Sequence, residues 1–106
     1  MTPTAFSEVL EPVTVGTLRQ ALADGDRATQ TWAIRSLGQL RDRESVHLLI
    51  AALADSDDRI RRAAATALAK LGDSRALDPL RRAHEGATGF TRMRIGRALG
   101  ELESRT

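Results

Sequence analysis

The chain has 106 residues, of which 42% are hydrophobic and 28% charged, a composition typical of one folded domain rather than of a disordered segment. It contains no cysteine, which excludes disulfides, thiolate metal sites and a cysteine nucleophile, and no apolar run near the roughly 18 residues that a membrane helix needs. Its 16 basic and 14 acidic residues leave a net charge of +2, so a basic surface requires that the charges be segregated.

Aromatic residues make up only 3% of the chain, so the core must consist largely of Leu and Ala, which favours helices over strands. Apolar residues recur at intervals of three and four, and Asp, Gly and Pro mark the boundaries between these segments. Pro79 falls inside a predicted helix and indicates either a kink or a later helix start. Seven helices are predicted, in chain order, at about residues 4–10, 12–23, 26–40, 42–54, 57–71, 73–85 and 88–103.

The sequence repeats with a period of 31 residues. Residues 21–51 align with residues 52–82 without a gap and with 10 identities in 31 positions. The alignment continues in both directions without insertions, so the whole chain is one unit repeated about three and a half times. Each unit holds two helices that are too small to bury their own apolar faces, and neighbouring units must stack to form a core. The predicted units of this single domain, residues 1–106, are approximately 4–23, 24–54, 55–85 and 86–104.

The block from Asp57 to Asp73 is the most regular copy of the repeat. It has an Asp-rich turn, a branched residue followed by Arg, paired alanines and a Leu-Gly-Asp ending, and it resembles the short HEAT repeats of the phycobilisome-lyase type. The resemblance weakens towards both ends of the chain. It implies an all-α fold: a right-handed α-solenoid of about three and a half HEAT-like helical hairpins, with the first helix of each unit on the convex side and the second on the concave side.

The resemblance implies a fold more firmly than a function. We expect a non-catalytic protein–protein interaction or scaffolding module that binds a partner through its concave face or through its exposed C-terminal end, where the partner is another protein or a second copy. That face has mixed charge and lacks the Trp or Tyr anchors that dominate tight interfaces. The concave residues predicted in this way are Thr17, Gln20, Glu44, His47, Ala51, Arg75, Asp78 and Arg82.

Nucleic-acid binding is the first alternative function. Arginines on the outward side of the first helices could form a ridge that follows phosphates, although Asp58 and Glu101 interrupt it and no aromatic residues are interleaved for stacking. The candidate phosphate contacts are Arg59, Arg62, Arg94 and Arg97. The wider ridge adds Arg27, Arg35 and Lys70.

A second alternative, a bilin-lyase-like or chaperone-type accessory subunit, is disfavoured because the chain is much shorter than a full lyase subunit. The sequence has no nucleophile elbow, phosphate loop or dinucleotide fingerprint, so we expect neither an enzyme nor a bound cofactor. His47 is predicted to be a solvated residue near Asp78, and His84 a partly buried one. No metal site is expected, and the start of the chain lacks a signal-peptide pattern, which predicts a cytoplasmic protein.

The carboxylates in the turns of the repeat can be explained as helix caps or as ion ligands. Asp24, Asp26, Asp55 and Asp57 lack the ligand density of a calcium loop. We therefore predict that they cap helices and pair with Arg61 and Arg92. Those two arginines fall at the repeated Arg position of the family that the chain resembles, which implies an inter-repeat structural role.

Two features at the ends of the stack need an explanation. Gly96 and Gly100 lie four residues apart in the last helix, where two glycines cost about 2 kcal/mol relative to alanine. Either they form an end interface that lets another protein or a second copy approach closely, or they are tolerated near a helix end. Trp32 replaces the Ala63 of the next unit, and we predict that it is mainly a core residue near Phe6.

Overall fold

The computed structural model describes residues 13–105, and all regular secondary structure in that range is helical. Short 3₁₀ turns at Arg43–Ser45 and Ser74–Ala76 lead directly into two of the helices. The predicted helix at residues 4–10 and its contact with Trp32 lie outside the described residues. The six helices are α1 (Val15–Asp24), α2 (Arg27–Gln39), α3 (Val46–Ala52), α4 (Asp58–Leu71), α5 (Leu77–Gly86) and α6 (Gly89–Arg105).

The helices α2, α4 and α6 begin after equivalent positions of the repeat, Asp26, Asp57 and Thr88. Asp26 accepts a hydrogen bond from the backbone N–H of Thr29 at 2.8 Å, and Asp57 accepts one from the N–H of Arg59 at 2.8 Å. Each carboxylate satisfies a backbone donor that has no partner inside the helix. The position before α6 is Thr88, whose carbonyl accepts the N–H of Arg92 at 3.2 Å.

The helix ends follow the repeat less strictly. α4 ends at Gly72, which has the left-handed backbone conformation with φ +66°, as predicted for a C-terminal glycine. The position 31 residues earlier holds Arg41, which adopts the same conformation with φ +55°. A non-glycine residue in this conformation costs about 1 kcal/mol. The turn at Arg41 therefore keeps the backbone geometry of the repeat without the glycine that favours it.

Pro79 marks a late helix start rather than a kink. The 3₁₀ turn at Ser74–Ala76 occupies the first part of the predicted helix, and α5 begins at Leu77. Pro79 is therefore the third residue of the helix, where a backbone N–H would have no intrahelical acceptor. The missing N–H of proline costs no hydrogen bond at this position.

The helices form two layers. α2, α4 and α6 lie side by side in the first layer, with α4 in contact with both neighbours. α1, α3 and α5 form the second layer, and each packs against the first-layer helix that follows it in the chain. The predicted inward face of α4 is confirmed, because all of its members are at most 3% exposed: Ile60, Ala64, Ala67, Leu68 and Leu71.

The stacked layers give an elongated molecule with extents of 54 × 27 × 18 Å. The radius of gyration is 15.2 Å, whereas a compact domain of 100 residues has one of about 13 Å. Elongation is expected when each unit contacts only its neighbours. The architecture is therefore an α-solenoid.

Candidate functional site

The exposed side of α1, α3 and α5, with the 3₁₀ turns before α3 and α5, is here called the second-layer face. All of the residues predicted for the concave surface are exposed on these elements. They are Thr17, Gln20, Glu44, His47, Ala51, Arg75, Asp78 and Arg82.

Charged groups on the second-layer face are mostly paired within the chain. Arg19 donates to Asp42 at 2.7 Å and lies 3.6 Å from Glu44, which ties α1 to the turn before α3. Arg75 donates to Asp73 at 2.7 Å, and this hydrogen bond, more than any other cause, lowers the pKa of Asp73 to about 2. These pairs offer a partner few uncompensated charges.

The contact that the structure gives for His47 is with Arg75. The Nε2 of His47 lies 3.4 Å from Nη1 of Arg75, at the junction between two units. Asp78, the predicted neighbour, pairs with Arg81 at 2.9 Å, and Arg81 also reaches Glu103 at 3.2 Å. The described residues, 13–105, contain no group of three or more His, Asp or Glu side chains that could hold a metal ion.

A small groove, here called the apolar groove, lies on the second-layer face between α1 and α3, with a volume of about 250 Å³. Leu48 is 41% exposed there and lies next to Ala51, the one predicted concave residue that lines the groove. Leu48 was not among the predicted site residues, and the repeat gives no apolar pattern at its position, since the equivalent residue of the next unit is Pro79. The lining consists of Arg19, Leu22, Ala23, Gln30, Leu48, Ala51, Ala52, Asp55 and Ile60.

A larger groove, here called the basic groove, runs along the outer side of α2 and α4 as far as α6 and has a volume of about 600 Å³. It contains five cationic side chains and no carboxylate among its lining residues. Of the predicted ridge, it gathers Arg35, Arg59, Arg62, Lys70 and Arg94. The other lining residues are Ala28, Thr31, Trp32, Gln39, Ala63 and Thr66.

Two ridge arginines lie apart from the basic groove, and both have carboxylate partners. Arg59 lines the groove although it also pairs with Asp57, at 3.4 Å. Arg27 pairs with Asp55 at 2.8 Å, across two units. Arg97 lies 3.6 Å from Glu101 and lines a neighbouring cavity of about 320 Å³. The predicted interruption of the ridge at Glu101 is therefore present.

Trp32 lines the basic groove and is 46% exposed, so within residues 13–105 it is not the core residue that the sequence predicted. The equivalent residue of the next unit, Ala63 on α4, is buried. The large indole at this position extends to the solvent-facing groove instead. An aromatic side chain therefore does lie among the arginines, contrary to the sequence-based expectation.

Gly96 and Gly100, the two glycines singled out in the sequence of α6, have different surroundings. A Cβ atom on Gly96 would lie 3.0 Å from Nε2 of His84, so the close approach it permits is to α5 of the same chain. A Cβ atom on Gly100 would have no neighbour within 4 Å. Phe90 and Met93, 78% and 64% exposed, lie on the same helix, and with Gly100 they define what is here called the C-terminal edge.

The turn carboxylates act mainly as predicted, although their arginine partners differ. Asp26 and Asp57 are N-caps, and Asp55 accepts the N–H of Asp57 at 2.9 Å. Arg61 donates to the backbone carbonyl of Asp55 at 2.7 Å and pairs with the carboxylate of Asp58. The hydrogen bonds to these caps lower the pKa values of Asp26 and Asp57 below the usual range.

A family model of HEAT repeats matches residues 15–103, which are most of the chain and nearly all of its described part. The chain belongs to the HEAT repeat family, whose members generally mediate protein–protein interaction or scaffolding. The match is to HEAT repeats in general and does not single out the phycobilisome-lyase type. No curated protein matches the chain. Within residues 13–105, none of the helices is both long and apolar enough to cross a membrane.

Proposed function

We propose that this protein is a non-catalytic protein-interaction module and that its second-layer face binds the partner. The observation that carries this proposal is the apolar groove, where Leu48 and Ala51 expose apolar surface on a face whose charged groups are mostly paired within the chain. The family membership supports the same class of function.

The physical basis is an interface with an apolar centre and a polar rim. Burying the exposed parts of Leu48 and Ala51 removes apolar surface from water at about 25 cal/mol per Å². Arg19 and Asp55 line the same groove and already have partners within the chain, so covering them leaves no isolated charge. A partner segment with one or two apolar side chains between polar ones fits this arrangement.

Affinity capture followed by a direct measurement tests the proposal. Ala51→Glu places a charge in the apolar groove, and Ala54→Glu makes the same change at an exposed alanine that does not line it. We expect Ala54→Glu to recover the same partners as the wild type and Ala51→Glu to lose them. With the purified partner, titration calorimetry should show at least about a tenfold weaker Kd for Ala51→Glu. Equal recovery by both variants contradicts this assignment of the face.

The C-terminal edge is the second surface that could carry the same function. Phe90 and Met93 are the most exposed large apolar residues in the described part of the chain, and Gly100 faces open space further along the same helix. Met93→Lys in the same capture experiment separates the two surfaces. Loss of partners with Met93→Lys and retention with Ala51→Glu would assign the interaction to the C-terminal edge.

A further inference from the structure

The basic groove gathers positive charge. The whole chain has a net charge of only +2, yet five cations and no carboxylate are found among the described residues that line this groove. Arg62 donates to the hydroxyl of Thr91 at 3.1 Å, and Arg94 donates to that of Thr66 at 3.4 Å. Within residues 13–105, no carboxylate lies within 4.0 Å of the cationic groups of Arg35, Arg62, Lys70 or Arg94.

Such a surface favours a polyanion over a single anion. On α4, the residues from Arg59 to Lys70 extend over about 16 Å at 1.5 Å per residue, with Arg62 between them. Arg35 on α2 and Arg94 on α6 widen the surface on both sides. Four of the five cations are arginines, whose planar guanidinium groups match the geometry of phosphate oxygens.

The exposed indole of Trp32 narrows the choice of polyanion. An acidic peptide offers carboxylates to the arginines, but its acidic side chains contain no ring that can stack on the indole of Trp32. A single-stranded nucleic acid offers phosphates and also unstacked bases, which bind favourably by stacking on an aromatic side chain. A duplex keeps its base faces inside its own stack.

We propose that the basic groove binds single-stranded nucleic acid, with Arg35, Arg62, Lys70 and Arg94 on the phosphates and Trp32 against a base. This activity lies in the first layer of helices and is separate from the protein-binding face proposed above. Most of the affinity comes from phosphate contacts, so binding depends on salt and only weakly on sequence.

The fluorescence of the protein reports directly on this site. The chain has one Trp and no Tyr, so the emission excited at tryptophan wavelengths comes from Trp32 alone. Titration of the intact protein with a short oligothymidylate at low salt should quench the emission in a saturable way. Binding should weaken with added salt with a log–log slope of about −0.7 for each phosphate contact.

Charge-reversal variants locate the site. Arg35→Glu and Lys70→Glu should each weaken binding at least tenfold and reduce the salt slope. Arg82→Glu makes the same charge change on an exposed residue of α5 and should leave binding unchanged. Trp32→Leu, measured by the anisotropy of a labelled oligonucleotide, should bind about tenfold more weakly. Circular dichroism establishes that each variant remains helical.

Three results would overturn the proposal. The first is an unchanged Trp32 emission at saturating oligothymidylate. The second is a polyglutamate peptide that binds more tightly than the oligothymidylate, which would assign the groove to acidic protein segments. The third is an equal loss of binding in Arg82→Glu and Arg35→Glu, which would indicate a general effect of net charge.

Discussion

Gly38, Ala69 and Gly100 occupy the same position in three successive units, and the surroundings of that position change along the stack. A Cβ atom on Gly38 would lie 2.7 Å from the Cβ and 2.8 Å from the Cα of Ala67, because α2 and α4 cross there at close range. Ala69 is buried at 2% exposure. Gly100 faces open space, since no further helix follows α6 within the described residues.

The same substitution should therefore have opposite effects at the two glycines. Gly38→Ala forces α2 and α4 apart and should lower the free energy of unfolding by about 2 kcal/mol. Gly100→Ala adds a better helix former in open space and should raise it by about 1 kcal/mol. Urea unfolding followed by circular dichroism measures both values. Similar changes for the two variants would contradict the close crossing at Gly38.

At the level of the helix, carboxylates at the first turns are the recurring stabilising device. Asp26 caps α2 and Asp57 caps α4, while Asp73 accepts the N–H of Arg75 at 2.9 Å at the turn before α5. The pKa of Asp26 is lowered mainly by the backbone hydrogen bond from Thr29, and that of Asp57 mainly by the side-chain hydrogen bond from Arg59. All three groups are more stable as carboxylates in the folded state than in the unfolded chain.

Stability should consequently fall in acid. A carboxyl group with a lowered folded-state pKa contributes stability above its unfolded pKa of about 3.8, and this contribution is lost as the pH falls through the folded value. For Asp73 the window extends from about pH 4 down to about 2. Urea unfolding should give a free energy at pH 6 that exceeds the value at pH 3.

Two variants test whether the loss of stability at low pH comes from Asp73. Asp73→Asn removes the charge, so it should be about 1 kcal/mol less stable than the wild type at pH 6 and should lose less stability on acidification. Asp78→Asn, at an exposed carboxylate on α5, should keep the pH dependence of the wild type. If Asp73→Asn also retained the full dependence, the cap would not be its source.

On the scale of the whole molecule, stability is distributed unevenly because each helix contacts only its neighbours. α4 is packed between α2 and α6 and also against α3, and it contributes eight buried residues. α1 packs against α2, and Leu18 is its one buried residue. The cost of opening a segment depends on the contacts it must break, so α4 is the most protected part of the solenoid.

Hydrogen exchange should follow this order. We expect the backbone amides of α4 to exchange at least about a hundredfold more slowly than those of α1 under native conditions, as measured by mass spectrometry of peptic fragments. A Leu68→Ala variant should remove much of the protection of α4, α2 and α6 together, because its side chain is fully buried in the shared core. Equal protection of α1 and α4 would argue against neighbour-by-neighbour stacking.

The repeat, the helices within residues 13–105 and the inward face of α4 could all be predicted from the amino-acid sequence. These features depend on local rules: Asp26 and Asp57 recur 31 residues apart as caps, Gly72 ends a helix, and apolar residues return at helical spacing. The ranges predicted for α2 and α4 agree with the structure to within about one residue at each end, because capping and periodicity act over only a few residues.

The surfaces that these helices form could not be predicted in this way, because they depend on contacts between residues far apart in the sequence. Trp32 is exposed in a basic groove, Gly96 accommodates His84 and Arg27 pairs with Asp55, and each of these depends on which side chain of another helix lies opposite. The repeat predicts the kind of environment that a position has in a typical unit. It does not predict the environment of a position where one unit carries a larger side chain, as at Trp32, or where the stack ends, as at Gly100.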